Sequence, residues 1–203
     1  MALIRHVRYM FLLPKSGRQQ LRGHEMERHR PQPTRFSKGR VNAFAESVAS
    51  RLGFEPGEPI EPLVSRLGGN VEYKGAETSE DRQPESIIVR SAENFSIYLP
   101  FVTSYVRDRF TIAHELGHLF LHYPVVAAGR PDVEMVATRW VDKSNPDLQR
   151  CEWEANWFAA GLLMPSGAFT SSYAKHGGDL DLVASDFAVS LKAAEIRARS
   201  LCL

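Results

Sequence analysis

Two histidines four residues apart, with a glutamate between them, lie in the run Arg109-Phe-Thr-Ile-Ala-His-Glu-Leu-Gly-His-Leu-Phe-Leu-His122. In a helix, residues i and i+4 stack on one face, so the imidazoles of His114 and His118 can point at one metal ion. Glu115 is rotated off that line, where its carboxylate can reach a water on the metal without becoming a ligand. Zinc lowers the pKa of such a water to about 7, and a carboxylate base can then activate it for attack on a peptide carbonyl. The spacing is that of zinc peptidases. Phe110, Ile112, Ala113, Leu116, Leu119, Phe120 and Leu121 cover nearly every other face of the run, the composition of a buried helix. Polar groups in such a helix are costly unless something satisfies them.

A catalytic zinc usually takes three protein ligands and a water. His122 shares the His118 face, but eight residues separate it from His114, about 12 Å along a regular helix. One ion cannot span all three. Position 124 is Pro124, so a third histidine six residues on is absent too. His122 therefore reads as a residue supporting the ligands or closing the helix. A second helical run, Cys151-Glu-Trp-Glu-Ala-Asn-Trp-Phe-Ala-Ala-Gly-Leu-Leu-Met-Pro165, offers the missing carboxylate. Glu154 has Phe158 and Leu162 at i+4 and i+8, an apolar stripe. Glu152 has Asn156 at i+4, a more polar face. The pattern favours Glu154 as the third ligand and keeps Glu152 in reserve. Tyr98, Tyr123 and Arg139 could each stabilise an oxyanion, and His176 could act as an electrophile.

The elements that must hold these groups can be read on either side. Val41, Phe44, Ala45, Val48 and Leu52 have helical spacing, ended by Gly53. A second short helix runs from about Ile60 to Leu67. Val71 to Tyr73 alternates as a strand does, and Ser86–Arg90 with Phe95–Pro100 reads as an antiparallel hairpin. That hairpin could bind an extended substrate beside the cleft, or serve as scaffold. The metal helix is expected to begin around Ser104. Residues 133–141 read as a strand or short helix over the cleft. Near the C-terminus, helix, turn at residues 188–190 and helix resemble a helix-turn-helix, with Ser190 as cap.

Charge is unevenly distributed. Residues 1–40 carry ten Lys/Arg and two acids, a net of +8; the rest carry 15 basic and 22 acidic residues, a net of −7, giving the formal +1 of the whole. The arm is poor in apolar residues after position 13 and is expected to be disordered. Direct nucleic-acid binding is not expected of this chain, and residues 1–40 are where it would occur. Two cysteines, Cys151 and Cys202, make no disulfide framework and point to a cytoplasmic setting. No apolar run approaches the roughly 20 residues needed to cross a bilayer.

The two blocks, R-F-T-I-A-H-E-L-G-H-L-F-L-H and E-x-E-A-N-x-F-A-x-x-L-L-M-P, resemble in residues and order those of the ImmA/IrrE family of zinc metallopeptidases. The resemblance covers residues 41 to 200. It implies zinc held by His114, His118 and Glu154, with Glu115 as general base. It further implies an intracellular regulatory protease of stress-response loci or mobile elements, cleaving a helix-turn-helix repressor. The expected architecture is α+β: a mostly helical, zincin-like metallopeptidase domain with a small antiparallel sheet and a C-terminal helix-turn-helix-like segment. The expected division is a basic extension over residues 1–40, the metallopeptidase domain over 41–175 and the C-terminal segment over 176–203. The alternative is a zinc-binding regulator or toxin–antitoxin partner without protease activity.

Overall fold

The computed structural model describes residues 27–74 and 84–203, apart from positions 131, 141 and 143. Most of the basic arm, including its apolar start, lies outside the described residues. The architecture is α+β. Strand β1 (Glu27–His29) leads through an extended stretch to helix α1 (Lys38–Leu52) and helix α2 (Glu61–Arg66). Strands β2 (Gly69–Lys74), β3 (Glu85–Ser91) and β4 (Asn94–Pro100) follow, then helix α3 (Tyr105–Gly117), a π-helical turn (His118–His122) and helix α4 (Tyr123–Val126). Strand β5 (Val133–Thr138) precedes helices α5 (Pro146–Leu163), α6 (Ser166–Lys175), α7 (Leu180–Asp186) and α8 (Leu191–Ser200).

Local chemistry explains the boundaries. Ser37 caps α1 by accepting from the Arg40 N–H, and Gly53 ends it in the left-handed conformation that a β-carbon disfavours. Asn145 caps α5 with Pro146 at its first turn, and Ser190 caps α8 by accepting from Ala193 N–H.

Five strands form one sheet in the order β1-β5-β3-β4-β2. The β3–β4 hairpin is antiparallel, as is β3 with β5. The sheet is mixed rather than antiparallel, however, because β2 joins β4 and β1 joins β5 in parallel. Alternation in sequence marks a strand but carries no direction, so these two pairings had no signal. Since β3 is paired on both sides and β4 is flanked by β3 and β2, neither can take a substrate strand by edge addition; the hairpin is scaffold.

The N-terminal arm is corrected in its last part. Residues 27–29 pair with Val133–Met135 of β5, satisfying an edge that would otherwise expose unpaired backbone groups. Arg28 bridges to Glu85 and Glu134, and Arg35 to Asp147. Those cations are engaged within the fold, which weakens the case for phosphate contacts.

Helix α5 lies between α1 and α3, and α3 faces the sheet through β4. Close approach requires small residues. A β-carbon on Gly117 would sit 2.9 Å from Ala155 Cα, and one on Gly161 would sit 2.9 Å from Asn42 O. Residues 176–203 share this core: Val183, Phe187, Val189, Ala194 and Ala198 belong to the same buried cluster as α1, α3 and α5. Phe158 is fully buried, with its ring 5.6 Å from Phe120 and 6.0 Å from Phe44. Phe158→Ala is expected to cost about 3–5 kcal/mol, measured as a lower denaturation midpoint in urea.

Candidate metal centre

Helix α3 carries the two histidines into the space between α5 and the sheet. It does not stay regular. From His118 to His122 it widens into a π-helical turn, closed by the Tyr123 N–H donating to His118 O. Pro124 supplies a reason: it has no N–H, and its ring would clash with the carbonyl four residues back. Such turns recur at functional sites.

Three ligand atoms converge. His114 Nε2 is 3.2 Å from His118 Nε2. Glu152 places Oε2 3.3 Å from His114 Nε2 and Oε1 3.3 Å from His118 Nε2. Tetrahedral ligands at zinc–nitrogen distances of about 2.0–2.1 Å stand about 3.3 Å apart, so the spacing fits zinc. The outer nitrogens fit as well. His114 Nδ1 lies 3.1 Å from Asn156 Oδ1, an acceptor, and His118 Nδ1 lies 2.9 Å from His122 Nδ1. Protons on the two Nδ1 atoms leave both Nε2 lone pairs and a carboxylate facing one another. A metal ion relieves that arrangement, as does a proton shared between His114 and Glu152.

Glu154 is not the third member. It is fully buried, but on the side of α5 that meets His122, at 3.2 Å, and Arg150, at 2.9 Å. Among the described residues the only group of three or more His, Cys, Asp or Glu able to share a metal is His114, His118 and Glu152. The apolar stripe identified the most buried face of α5, whereas the metal face borders a cleft and is therefore the more polar one. Asn156, the residue that made the Glu152 face look unsuitable, is the partner of His114.

Electrostatics separate the roles. Burial pulls the His118 pKa down to about 4, so its ring is neutral and able to ligate. Burial lowers that of His114 too, but the Glu152 hydrogen bond and the Glu115 and Glu152 charges outweigh it and leave it raised. Carboxylates that favour a proton there also favour a metal cation. Burial acts to raise the Glu152 carboxyl, yet its hydrogen bonds to both histidines leave it well below the usual range. Burial pushes Glu115 up to about 7, against the lowering effect of His114, Ser86 and Arg139. The Ser86 hydroxyl donates to Glu115 Oε2 at 3.1 Å. Metal binding must displace the proton that His114 holds above its ordinary pKa of 6.5. Affinity is therefore expected to fall as pH drops, with the loss beginning above the ordinary histidine pKa of 6.5, as read by competition with a chelator; pH-independent affinity would contradict the assignment.

The centre opens on a cleft of about 850 Å³ lined by His114, Glu115, Glu152, Asn156, Ser86 and Arg139 among others. Arg139 is the one oxyanion candidate placed there, with its guanidinium donating to Tyr98 O at 3.2 Å. Tyr98 and Tyr123 are buried, and the Tyr123 hydroxyl points to Arg90 O. His176 pairs with Asp186 at 2.9 Å, at the end of α6. Sequence reasoning missed Ser86, Asn156, Thr34 and Arg150. Asn156 alone carried a signal, its i+4 spacing from Glu152.

A family model, Peptidase_M78, described as the IrrE N-terminal-like domain, matches residues 96–199, which is half of the chain and takes in both helices that carry the candidate ligands. The chain belongs to this family. As a Peptidase_M78 chain it falls within a metallopeptidase-like group, in agreement with the ImmA/IrrE resemblance. No curated protein matches it in sequence. Among solved structures it is similar to a Mycobacterium tuberculosis transcriptional regulator, with a TM-score of 0.51 and 15% identity over 76% of this chain. That likeness concerns the fold. The chain spans 45% of the regulator's length. No described helix is long and apolar enough to cross a membrane.

Proposed function

We propose that this chain is a zinc-dependent, cytoplasmic endopeptidase that cleaves a specific protein, a helix-turn-helix transcriptional repressor. The convergence of His114 Nε2, His118 Nε2 and a Glu152 oxygen within 4.8 Å of one another, with Glu115 beside them in the same cleft, carries the peptidase reading. The repressor comes from the family resemblance. Zinc held by these three groups would supply a Lewis acid and a water of lowered pKa. Glu115 accepts the proton of the attacking water and returns it to the leaving amine; a carboxyl near neutrality suits both transfers. Ser86 holds that carboxylate in place, and Arg139, on the wall of the same cleft, offers a cation to an oxyanion.

A zincin-like arrangement belongs to the same reading, with a metal helix beside a sheet and a second helix supplying the carboxylate. So does the α7–α8 pair as a helix-turn-helix-like segment. Arg197 of α8 is buried and donates to Met164 O, Asn42 Oδ1 and Glu46 Oε1, which supports packing rather than phosphate contact. A metal-binding regulator or toxin–antitoxin partner would need the ligands but not a buried carboxylate in the cleft. Incubating the zinc-loaded chain with the repressor encoded nearest to it should give discrete fragments that a chelator abolishes. Intact repressor, with zinc shown to be bound, would count against the proposal.

A further inference from the structure

Behind the candidate ligands lies a second group of polar side chains, buried at its His122–Glu154 centre, that metal ligation does not use. His118 Nδ1 is 2.9 Å from His122 Nδ1, and His122 Nε2 is 3.2 Å from Glu154 Oε2. The His122 and Glu154 side chains are both 0% exposed. Glu154 Oε2 also accepts from the Thr34 N–H at 2.9 Å and the Thr34 hydroxyl at 2.8 Å, while Oε1 accepts from Arg150 Nε at 2.9 Å. Arg150 donates in turn to the Phe36 carbonyl. The stretch that follows β1 is thus tied to the back of the metal centre at two points.

These partners set a direction. A carboxylate can only accept, and three of the groups around Glu154 donate to it: the Thr34 amide, the Thr34 hydroxyl, which itself accepts from the Phe36 N–H at 3.2 Å, and the Arg150 guanidinium. The fourth, His122 Nε2, must therefore donate. A neutral His122 then presents a lone pair at Nδ1, which accepts the proton on His118 Nδ1. What remains on His118 is a bare Nε2, the atom that faces His114 and Glu152. Each proton in the row is placed by the one behind it.

We propose that His122 and Glu154 are positioning residues that hold His118 in its metal-binding tautomer and orientation, and that Thr34 latches them. This rests on the reading of His118 as a ligand. Thr34 lies outside the residues matched by the family, so the latch is contributed by a segment that precedes the family-matched region.

The test uses the full chain and zinc or cobalt alone. Glu154→Gln keeps the volume and can keep the fold, but its amide can donate to His122 and reverse the row. It is expected to lower zinc affinity by about 10–100-fold, in competition with a chromophoric chelator, and to shift the visible absorption of the cobalt-loaded protein. Thr34→Val, which removes the hydroxyl and keeps the shape, should give a smaller loss in the same direction. Wild-type affinity and an unchanged cobalt spectrum in Glu154→Gln would overturn the proposal. Nitrogen-15 spectra of the zinc-loaded wild-type protein decide it without any variant. They should show His122 protonated at Nε2 and His118 at Nδ1; His122 protonated at Nδ1 instead would overturn it. His118→Ala separates the two levels. Wild-type affinity in that variant would defeat the underlying ligand reading. Lost affinity there, beside unchanged Glu154→Gln, would defeat the latch alone.

Discussion

Glu115→Gln is expected to leave zinc bound and to reduce peptide hydrolysis by about a hundredfold to ten-thousandfold, the usual contribution of a positioned general base. The glutamine keeps the size of the side chain, and its amide can still meet the Ser86 hydroxyl that now donates to Oε2. What it lacks is a lone pair able to take a proton near pH 7, the value to which burial pushes Glu115. Glu115 is not among the three converging ligands, so metal content measured by atomic absorption should match wild type. A variant that lost both zinc and hydrolysis would show that Glu115 is a ligand or that the fold had failed. One that kept hydrolysis would remove the carboxylate from the chemistry.

The second large effect separates the two glutamates of α5. Glu152→Ala removes one of the three proposed protein ligands. If each supplies about a third of the roughly 12 kcal/mol typical of protein-bound zinc, affinity falls by about 4 kcal/mol, on the order of a thousandfold. Glu154, one helical position-pair further on, faces His122 and Arg150. Losing it leaves all three ligands present, and the loss of affinity should stay within about a hundredfold. The ranking is the informative result. Were Glu154→Ala the more damaging of the two for metal binding at preserved fold, the third ligand would have to be reassigned.

The reading of α5 shows where sequence reasoning stopped. Its helix, its apolar face and its partnership with the His114–His118 helix were all legible, because burial writes a period of 3.6 into the chain. Hydrophobic periodicity points to the core, however, and a metal site bordering a cleft lies off that axis. Asn156 at i+4 from Glu152 was the visible sign of a functional face and looked like the sign of a solvated one. The contribution of Thr34 was out of reach, since it makes its contact from 120 residues away through a backbone N–H and a hydroxyl. The basic arm misled in a similar way: composition rich in Arg and Pro marks disorder on average, but β1 needs only three residues and an open sheet edge. The widened turn at His118–His122 could be anticipated only in that Pro124 forbids a regular continuation. Strand positions were readable from alternation, while the parallel joins of β1 and β2 depended on long-range topology that alternation does not encode.

Anomalous diffraction from zinc-loaded crystals addresses the central claim most directly. A single peak should lie about 2.0–2.2 Å from His114 Nε2, His118 Nε2 and a carboxylate oxygen of Glu152, with the Glu115 carboxylate nearby and unbonded to the metal. A peak between His122 and Glu154, or one coordinated by Glu115, would contradict the account.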